Sequence, residues 1–167
     1  MSQSSLSHLF QQAYEDYSDA IFRYCLVRIQ QRELALDLTQ ETFIKTWEYL
    51  SDGKKVDNLR AFLYRVANNL IIDYVRKKKE SSLDKLMEQG FDAPAEDRNT
   101  IHNALDAKYV IRMLGQIDEK YRTVILLRYV DDLPIKEIAE IVGKSENVVS
   151  VRIHRGVQQI KKLIPLQ

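Results

Sequence analysis

Arg152 and Arg155 have the clearest chemistry to offer. They lie in a stretch, Asn147 to Lys162, that holds four Lys or Arg and no Asp or Glu. Cations without neighbouring acids attract a polyanion by neutralising its phosphates. Asn147, Val148, Ser150 and Val151 sit among them. The chemistry implied is recognition, not bond making.

Those side chains need a helix to present them. Upstream, Pro134 suits the first turn of a helix, and Ile138, Ala139 and Val142 give that helix an apolar stripe. Gly143 can take the left-handed conformation that ends it, and Ser145, after Lys144, is a good N-cap for the next. In the second helix Val149, Ile153, Val157, Ile160 and Ile164 are spaced four, four, three and four apart. That spacing buries one side and leaves Val148, Val151, Arg152, Arg155 and Gln159 on the other. Val148-Val149-Ser150-Val151 would pass locally for a strand, but helical spacing and a cap at each end favour the helix. A short helix, a tight turn and an acid-free second helix have the geometry that lays a helix in the major groove of duplex DNA. Helix-turn-helix pairs also occur as plain packing units; the charge pattern favours DNA.

Composition narrows the class. The chain has 167 residues, 45% of them hydrophobic, enough for one domain or two small ones. No apolar run approaches the roughly 20 residues that span a bilayer, and Met1-Ser2-Gln3-Ser4-Ser5 does not read as a signal peptide. The expectation is a cytoplasmic protein without membrane insertion. Cys25 is the single cysteine, so an internal disulfide is excluded, and its apolar surroundings suggest a small buried hydrophobe. The net charge of +1 is unevenly spread. Residues 1–79 carry 12 basic and 10 acidic side chains, residues 80–103 carry 2 and 6, and residues 104–167 carry 11 and 8. Two basic blocks joined by an acidic segment with Gly90 and Pro94 suggest two modules and a flexible linker over 80–103. A turn or short helix could form in it around Leu83 to Met87.

Three helices are legible in the first block. One runs from about Ser7 to Ile29, with Leu9, Phe10, Ala13, Tyr17, Ile21, Tyr24 and Val27 along a broad face. The second spans about Glu33 to Leu50, where Phe43 and Trp47 read as core. The third starts at Asp57 or Asn58, either a good N-cap, and ends in Lys77-Lys78-Lys79. Phe62, Val66, Asn69 (or Leu70) and Asp73 would share one of its faces, with Arg65 and Arg76 near another. Arg76 to Lys79 is four consecutive cations, more than a helix dipole calls for, which favours a phosphate track over a solvated helix end. Phe62, Tyr64 and Tyr74 interleave with the cations, as suits a single strand whose bases stack on rings, although core packing explains some of these rings equally well.

Asp37-Leu38-Thr39-Gln40-Glu41-Thr42-Phe43-Ile44-Lys45-Thr46-Trp47 resembles the polymerase-binding segment of bacterial sigma factors. The run from Asn58 to Arg76 resembles their minus-10 recognition and melting helix, and Tyr121-Arg122-Thr123-Val124-Ile125-Leu126-Leu127-Arg128-Tyr129 onward resembles their C-terminal domain. Order, spacing and length are similar to the extracytoplasmic-function (ECF) sigma factors, which keep only these two domains. The resemblance implies an all-α fold of two small helical domains, sigma-2-like over 1–79 and sigma-4-like helix-turn-helix over 104–167, with no enzymatic activity, cofactor or metal. It implies Asp37, Gln40 and Glu41 as contacts to the clamp helices of core RNA polymerase, whose flap is a second contact. It implies Lys54, Lys55, Arg65, Asn69, Arg76, Lys77 and Lys78 at the opened minus-10 strand, Asn69 helping to line a pocket for a flipped base. It implies Lys144, Ser145, Asn147, Val148, Ser150, Val151, Arg152 and Arg155 at the minus-35 duplex. A dedicated anti-sigma factor is the remaining implied partner. The chain departs from the family where Asn147-Val148 replaces a favoured Gly-Thr and Ser150 a common Lys. One phosphate cation is thereby lost, and Val148 offers a methyl contact to thymine instead of a hydroxyl.

Two other classes compete. A dimeric repressor would use the same helix-turn-helix but leaves the Asp37 to Trp47 motif unexplained. An enzyme is the weaker rival: His8, His102 and His154 are far apart, and Asp131-Asp132 reads as a turn, not a metal site.

Overall fold

The computed structural model describes residues 2–88 and 105–165. All the regular structure among them is helical. Three long helices form the N-terminal domain: α1 (Gln3–Ile29), α2 (Arg32–Ser51) and α3 (Leu59–Glu88). The C-terminal domain has α4 (Leu105–Leu114), α5 (Glu119–Ile125, continued by a π-helical turn over Leu126–Val130), α6 (Ile135–Val142) and α7 (Glu146–Leu163).

In the N-terminal domain, α1 and α3 both pack on α2. Ile21, Cys25, Ala35, Leu63, Ala67 and Ile71 are at 4% exposure or less. The face of α2 between them carries threonines, and the buried hydroxyls of Thr39, Thr42 and Thr46 each donate to the carbonyl four residues earlier, at 2.7–2.8 Å. Their hydrogen bonds are met within the helix, so short side chains can line a helix–helix seam without orphaned polar atoms. Phe10, Tyr14, Phe43 and Trp47 close the outer end as an edge-to-face aromatic cluster with centroids 4.9–6.1 Å apart. Cys25 is fully buried, as its surroundings suggest, and burial pushes its thiol up to about 11.

Asn58 is the N-cap of α3: its side-chain oxygen accepts from the Ala61 N–H at 3.0 Å. The helix does not stop at Lys77–Lys79 but continues to Glu88. Acidic composition suggested a linker from residue 80, yet Glu80, Leu83, Lys85, Leu86 and Met87 are good helix formers and no breaker precedes Gly90. The rest of the expected linker, with Gly90 and Pro94, lies outside the described residues.

The helix-turn-helix has the expected caps. Gly143 is left-handed at φ 67° and ends α6; Ser145 accepts from the Val148 N–H at 3.2 Å and starts α7. Two boundaries differ from expectation. Pro134 is extended (ψ 152°) and precedes α6 instead of opening it. Ile164 is extended and half exposed, not the last core position of α7, because Pro165 disfavours a helical residue before it. Val149 is fully buried and Ile153, Val157 and Ile160 pack on the core. Gly156 is buried where α7 crosses α5: a Cβ there would sit 3.0 Å from Ile125 Cγ1 and 3.3 Å from Tyr121 Cβ. The core does not stop at the domain boundary, since α3 packs directly on α6.

Candidate nucleic-acid interface

The outward face of α7 is built as its spacing implied. Asn147, Val148, Ser150, Val151 and Arg155 are exposed, as are Lys144 and Ser145 in the turn before it; Arg152 is half-buried. The N-terminal turn of α7, held by the Ser145 cap, is the end that enters a groove in this motif. Gly143 supplies the left-handed residue that lets α6 and α7 meet at a tight angle.

Four of the six cations expected at the minus-10 strand fall into two sets, divided by Phe62. Lys54, Asn69 and Lys77 line an open groove of about 730 Å³ between α2 and α3, together with Phe62, Val66 and Tyr74. Lys55 and Arg65 lie on the other side of Phe62, in a cavity of about 540 Å³ whose far wall is α6. Within these sets Lys54 pairs with Asp52 at 3.5 Å and rests over the Tyr49 ring, and Arg65 rests over Phe62 at 5.2 Å. Arg76 pairs with Asp73 at 3.2 Å, and Lys78 is exposed away from both cavities.

Asn69 is exposed at the groove. The buried amide is its neighbour Asn68, 3% exposed, which accepts from the Tyr24 hydroxyl at 3.0 Å and from Arg28. Tyr64 is likewise not a stacking platform. It is 2% exposed, packs edge-to-face on Tyr24 at 5.4 Å and donates to Asp131 at 2.7 Å. Phe62 and Tyr74 remain at the groove wall.

Asp37, Gln40 and Glu41 are all exposed on α2 but do not share one groove. Asp37 and Glu41 form the acidic wall opposite Lys77, with Glu41 3.9 Å from Lys45. Gln40 edges an apolar groove with Phe10, Tyr14, Phe43, Ile44 and Trp47. Ile44, 56% exposed, and Tyr14, 49% exposed, are large apolar side chains left in water there, which is the composition of a protein-docking surface.

Comparison with known proteins agrees with this architecture. The family model for Sigma-70 region 2 matches residues 13–81, and that for Sigma-70, region 4 matches residues 107–160. The chain is 30% identical over 162 residues to the ECF RNA polymerase sigma factor SigW of Bacillus subtilis, covering 87% of this chain and 83% of that one. The chain belongs to the ECF sigma-factor family. SigM of the same organism is 29% identical over 158 residues, 90% of this chain and 91% of that one. Two solved structures share the fold. RpoE, in complex with the anti-sigma factor NepR from Bartonella quintana, has a TM-score of 0.78 at 20% identity, covering 92% and 95% of the two chains. CnrH, in complex with the cytosolic domain of CnrY, has a TM-score of 0.72 at 23% identity, covering 94% and 88%. Sigma factors are DNA-binding transcription factors, and helices α3 and α7 of this one carry the faces described above.

A group of residues that joins the two domains was missed by sequence reasoning. Arg28, in α1, is 8% exposed and donates to Tyr24 at 2.7 Å, to Asn68, and to Glu119 of α5 at 2.6 Å. Asp131 takes the Tyr64 hydroxyl and has Arg23 at 3.5 Å; its burial raises its pKa, against the pull of Tyr64 and Arg23. Glu137 of α6 accepts from Asn58 at 2.9 Å and Arg60 at 3.0 Å. One signal was available: Arg28 continues the apolar stripe Ile21, Tyr24, Cys25 at helical spacing, and a cation in a core position needs a partner.

Proposed function

We propose that this ECF sigma factor recruits core RNA polymerase to promoters through three faces with separate tasks. The exposed face of α2, with Asp37, Gln40 and Glu41, docks on the clamp helices of the large subunit, and the C-terminal domain meets the flap. The α2–α3 groove and the loop before α3 hold the opened minus-10 strand: Lys54, Lys55, Arg65, Arg76, Lys77 and Lys78 neutralise phosphates, and Asn69 faces a flipped base. The α7 face, from Lys144 to Arg155, reads the minus-35 duplex, with Arg155 on phosphate or base and Val148 against a thymine methyl. An anti-sigma factor holds the protein inactive until a signal arrives, as NepR is found on RpoE.

The observation that carries this proposal is the pairing of an exposed α7 face, free of acids after Glu146 in its first turn, with a separate groove where the exposed Asn69 stands beside Phe62, Tyr74, Lys54 and Lys77, the carboxylates Asp37, Glu41, Glu48, Asp52 and Asp73 also lining that groove. A repressor needs only the first. The dividing experiment is run-off transcription with core polymerase and mapping of the start sites. Core enzyme plus this chain is expected to initiate at discrete promoters that core alone ignores; binding of an operator by the chain alone, with no polymerase-dependent initiation, would instead identify a repressor. Asp37→Arg, an exposed change on α2, is expected to leave thermal melting unchanged and to weaken pull-down of core enzyme. An unchanged pull-down would remove Asp37 from the interface.

A further inference from the structure

Among the aromatic pairs of the N-terminal domain, Tyr49 and Phe62 stand apart. Their centroids are 4.8 Å apart and the rings are tilted by 41°, whereas the other pairs meet edge-to-face at 65–82°. Tyr49 comes from the end of α2 and Phe62 from the start of α3, and both rings are half-buried. A pair that served packing alone would be sealed from solvent, as Tyr24 and Tyr64 are at 2% exposure. Here each ring carries an exposed cation instead. Lys54 Nζ lies 4.9 Å from the Tyr49 centroid, and the Arg65 guanidinium 5.2 Å from that of Phe62.

The two rings form a crest. Both line the α2–α3 groove of about 730 Å³ and also the cavity of about 540 Å³ beyond it. Lys54 stands on the groove side with Asn69 and Lys77, and Arg65 on the other side with Lys55. A strand that engages both cation sets must therefore pass over the rings. Aliphatic side chains on the crest would give it little to hold, whereas aromatic rings offer flat faces on which bases of any sequence stack. The cations already seated on those faces are no obstacle, because a charge-assisted bond to phosphate is stronger than an exposed contact with a ring. Each cation can leave its ring for the backbone as a base takes its place.

We propose that Tyr49 and Phe62 form a stacking crest that parts two successive bases of the opened strand. One base rests on Tyr49 in the groove and its neighbour on Phe62 beyond it, while Lys54 and Arg65 move onto the flanking phosphates. The proposal rests on the assignment of the groove to the minus-10 strand and adds two things to it. It names two rings, one of them from α2, as base-binding groups beside Asn69. It also makes the crest indifferent to base identity, so that the rings hold the strand while Asn69 faces the base that is read. Parting two bases sacrifices their mutual stacking, which the two rings replace face for face.

The test is a cycle between ring and base. Holoenzyme assembled with the wild-type or a variant chain binds a labelled minus-10 single strand taken from a mapped start site, and each base in turn is removed by an abasic substitution. With the wild-type chain, loss of the base on Tyr49 and loss of the base on Phe62 are each expected to weaken binding about tenfold, within the range of base–ring stacking. In Tyr49→Leu the first loss should cost nothing further, and in Phe62→Leu the second, at adjacent positions of the strand. Tyr49→Trp and Phe62→Tyr, which keep a ring, should preserve the dependence, and this separates stacking from damage to the fold. Lys54→Gln should flatten the salt dependence of strand binding by about 0.7, the share of one phosphate contact on a single strand. Coupling of both rings to one base, or equal base dependence in the wild type and both leucine variants, overturns the proposal. Wild-type holoenzyme that initiates at no discrete promoter in run-off transcription overturns the promoter reading and the crest with it; initiation without ring–base coupling overturns the crest alone.

Discussion

The N-terminal domain buries three threonine hydroxyls, an amide and a guanidinium between its helices, whereas among the described residues of the C-terminal domain the buried polar side chains are Thr123 and the Asp131 carboxylate. Most of the N-terminal polar groups are matched inside that domain, but Arg28 is completed only by Glu119 from the other. The C-terminal domain is the reverse case. Short helices, a Ser145 cap, a left-handed Gly143 and a core of Val124, Leu127, Leu133, Ile138 and Val149 close it on itself. One domain is finished by its neighbour; the other offers three carboxylates outward at little cost to its own packing.

The severest test of the comparison deletes equal amounts of hydrocarbon from each core. Leu63 and Leu133 are both at 0% exposure, and Leu63→Ala and Leu133→Ala should each cost about 2–5 kcal/mol. Trp47 is the only tryptophan and reports the N-terminal domain alone. In denaturant, Leu63→Ala should shift the Trp47 fluorescence transition fully, and Leu133→Ala should shift mainly the helical circular dichroism. Equal Trp47 shifts in both variants would mean that the domains unfold as one unit and the asymmetry has no thermodynamic content.

Next in size is Glu119→Gln. It leaves Arg28 without a carboxylate. A partner lost from a fully buried pair costs roughly 3–5 kcal/mol, but the Glu119 side chain is 40% exposed, so water takes part of its place and about 1–3 kcal/mol is expected. The loss should appear in the Trp47 transition, on the domain that was not mutated. A change confined to the C-terminal signal would refute the dependence.

Two helix caps sharpen the same point at smaller scale. Ser145→Ala removes a cap that serves only α7 and should cost about 1 kcal/mol. Asn58→Ala removes the cap of α3 together with the bond to Glu137 and should cost more than Ser145→Ala. Adding Glu137→Gln to each measures the coupling: none is expected with Ser145→Ala and a measurable one with Asn58→Ala.

The same asymmetry governs how far the sequence could be read. Caps and helical spacing are local, so α6, the turn and α7 are legible from residues a few positions apart, and the errors there are single residues at Pro134 and Ile164. The N-terminal helices are legible from their apolar faces, but their functional roles rest on resemblance, and α3 outruns its expected end because charge was taken for a breaker. Gly156 passes unread, since a mid-helix glycine looks like a weakness until α5 is seen against it. The contacts between the domains are hidden for a plain reason. The hydrogen bonds among them join residues 67 to 91 positions apart, and no periodicity links Glu119, Asp131 and Glu137 to their partners.

The smallest effects on stability, and the finest division between the two regions, come from their exposed faces. Arg155 and Asn69 both point to water, so Arg155→Ala and Asn69→Ala should leave both unfolding transitions nearly unmoved. Their effects on DNA should differ in kind. Arg155 stands on the acid-free face of α7, and losing a phosphate contact should weaken minus-35 duplex binding by a similar factor on every sequence and flatten the salt dependence by about one ion. Asn69 is uncharged and faces the α2–α3 groove; its partner would be an unpaired base, which exists only after the duplex opens and its stacking has been lost. Asn69→Ala should therefore spare the closed complex seen by footprinting and reduce permanganate reactivity of minus-10 thymines, which reports opening. Opening at the normal level in Asn69→Ala, or a salt slope unchanged in Arg155→Ala, would remove that residue from its assigned face. If both variants instead fail at the closed complex, the two domains bind DNA as one surface, and the separation drawn between them does not extend to function.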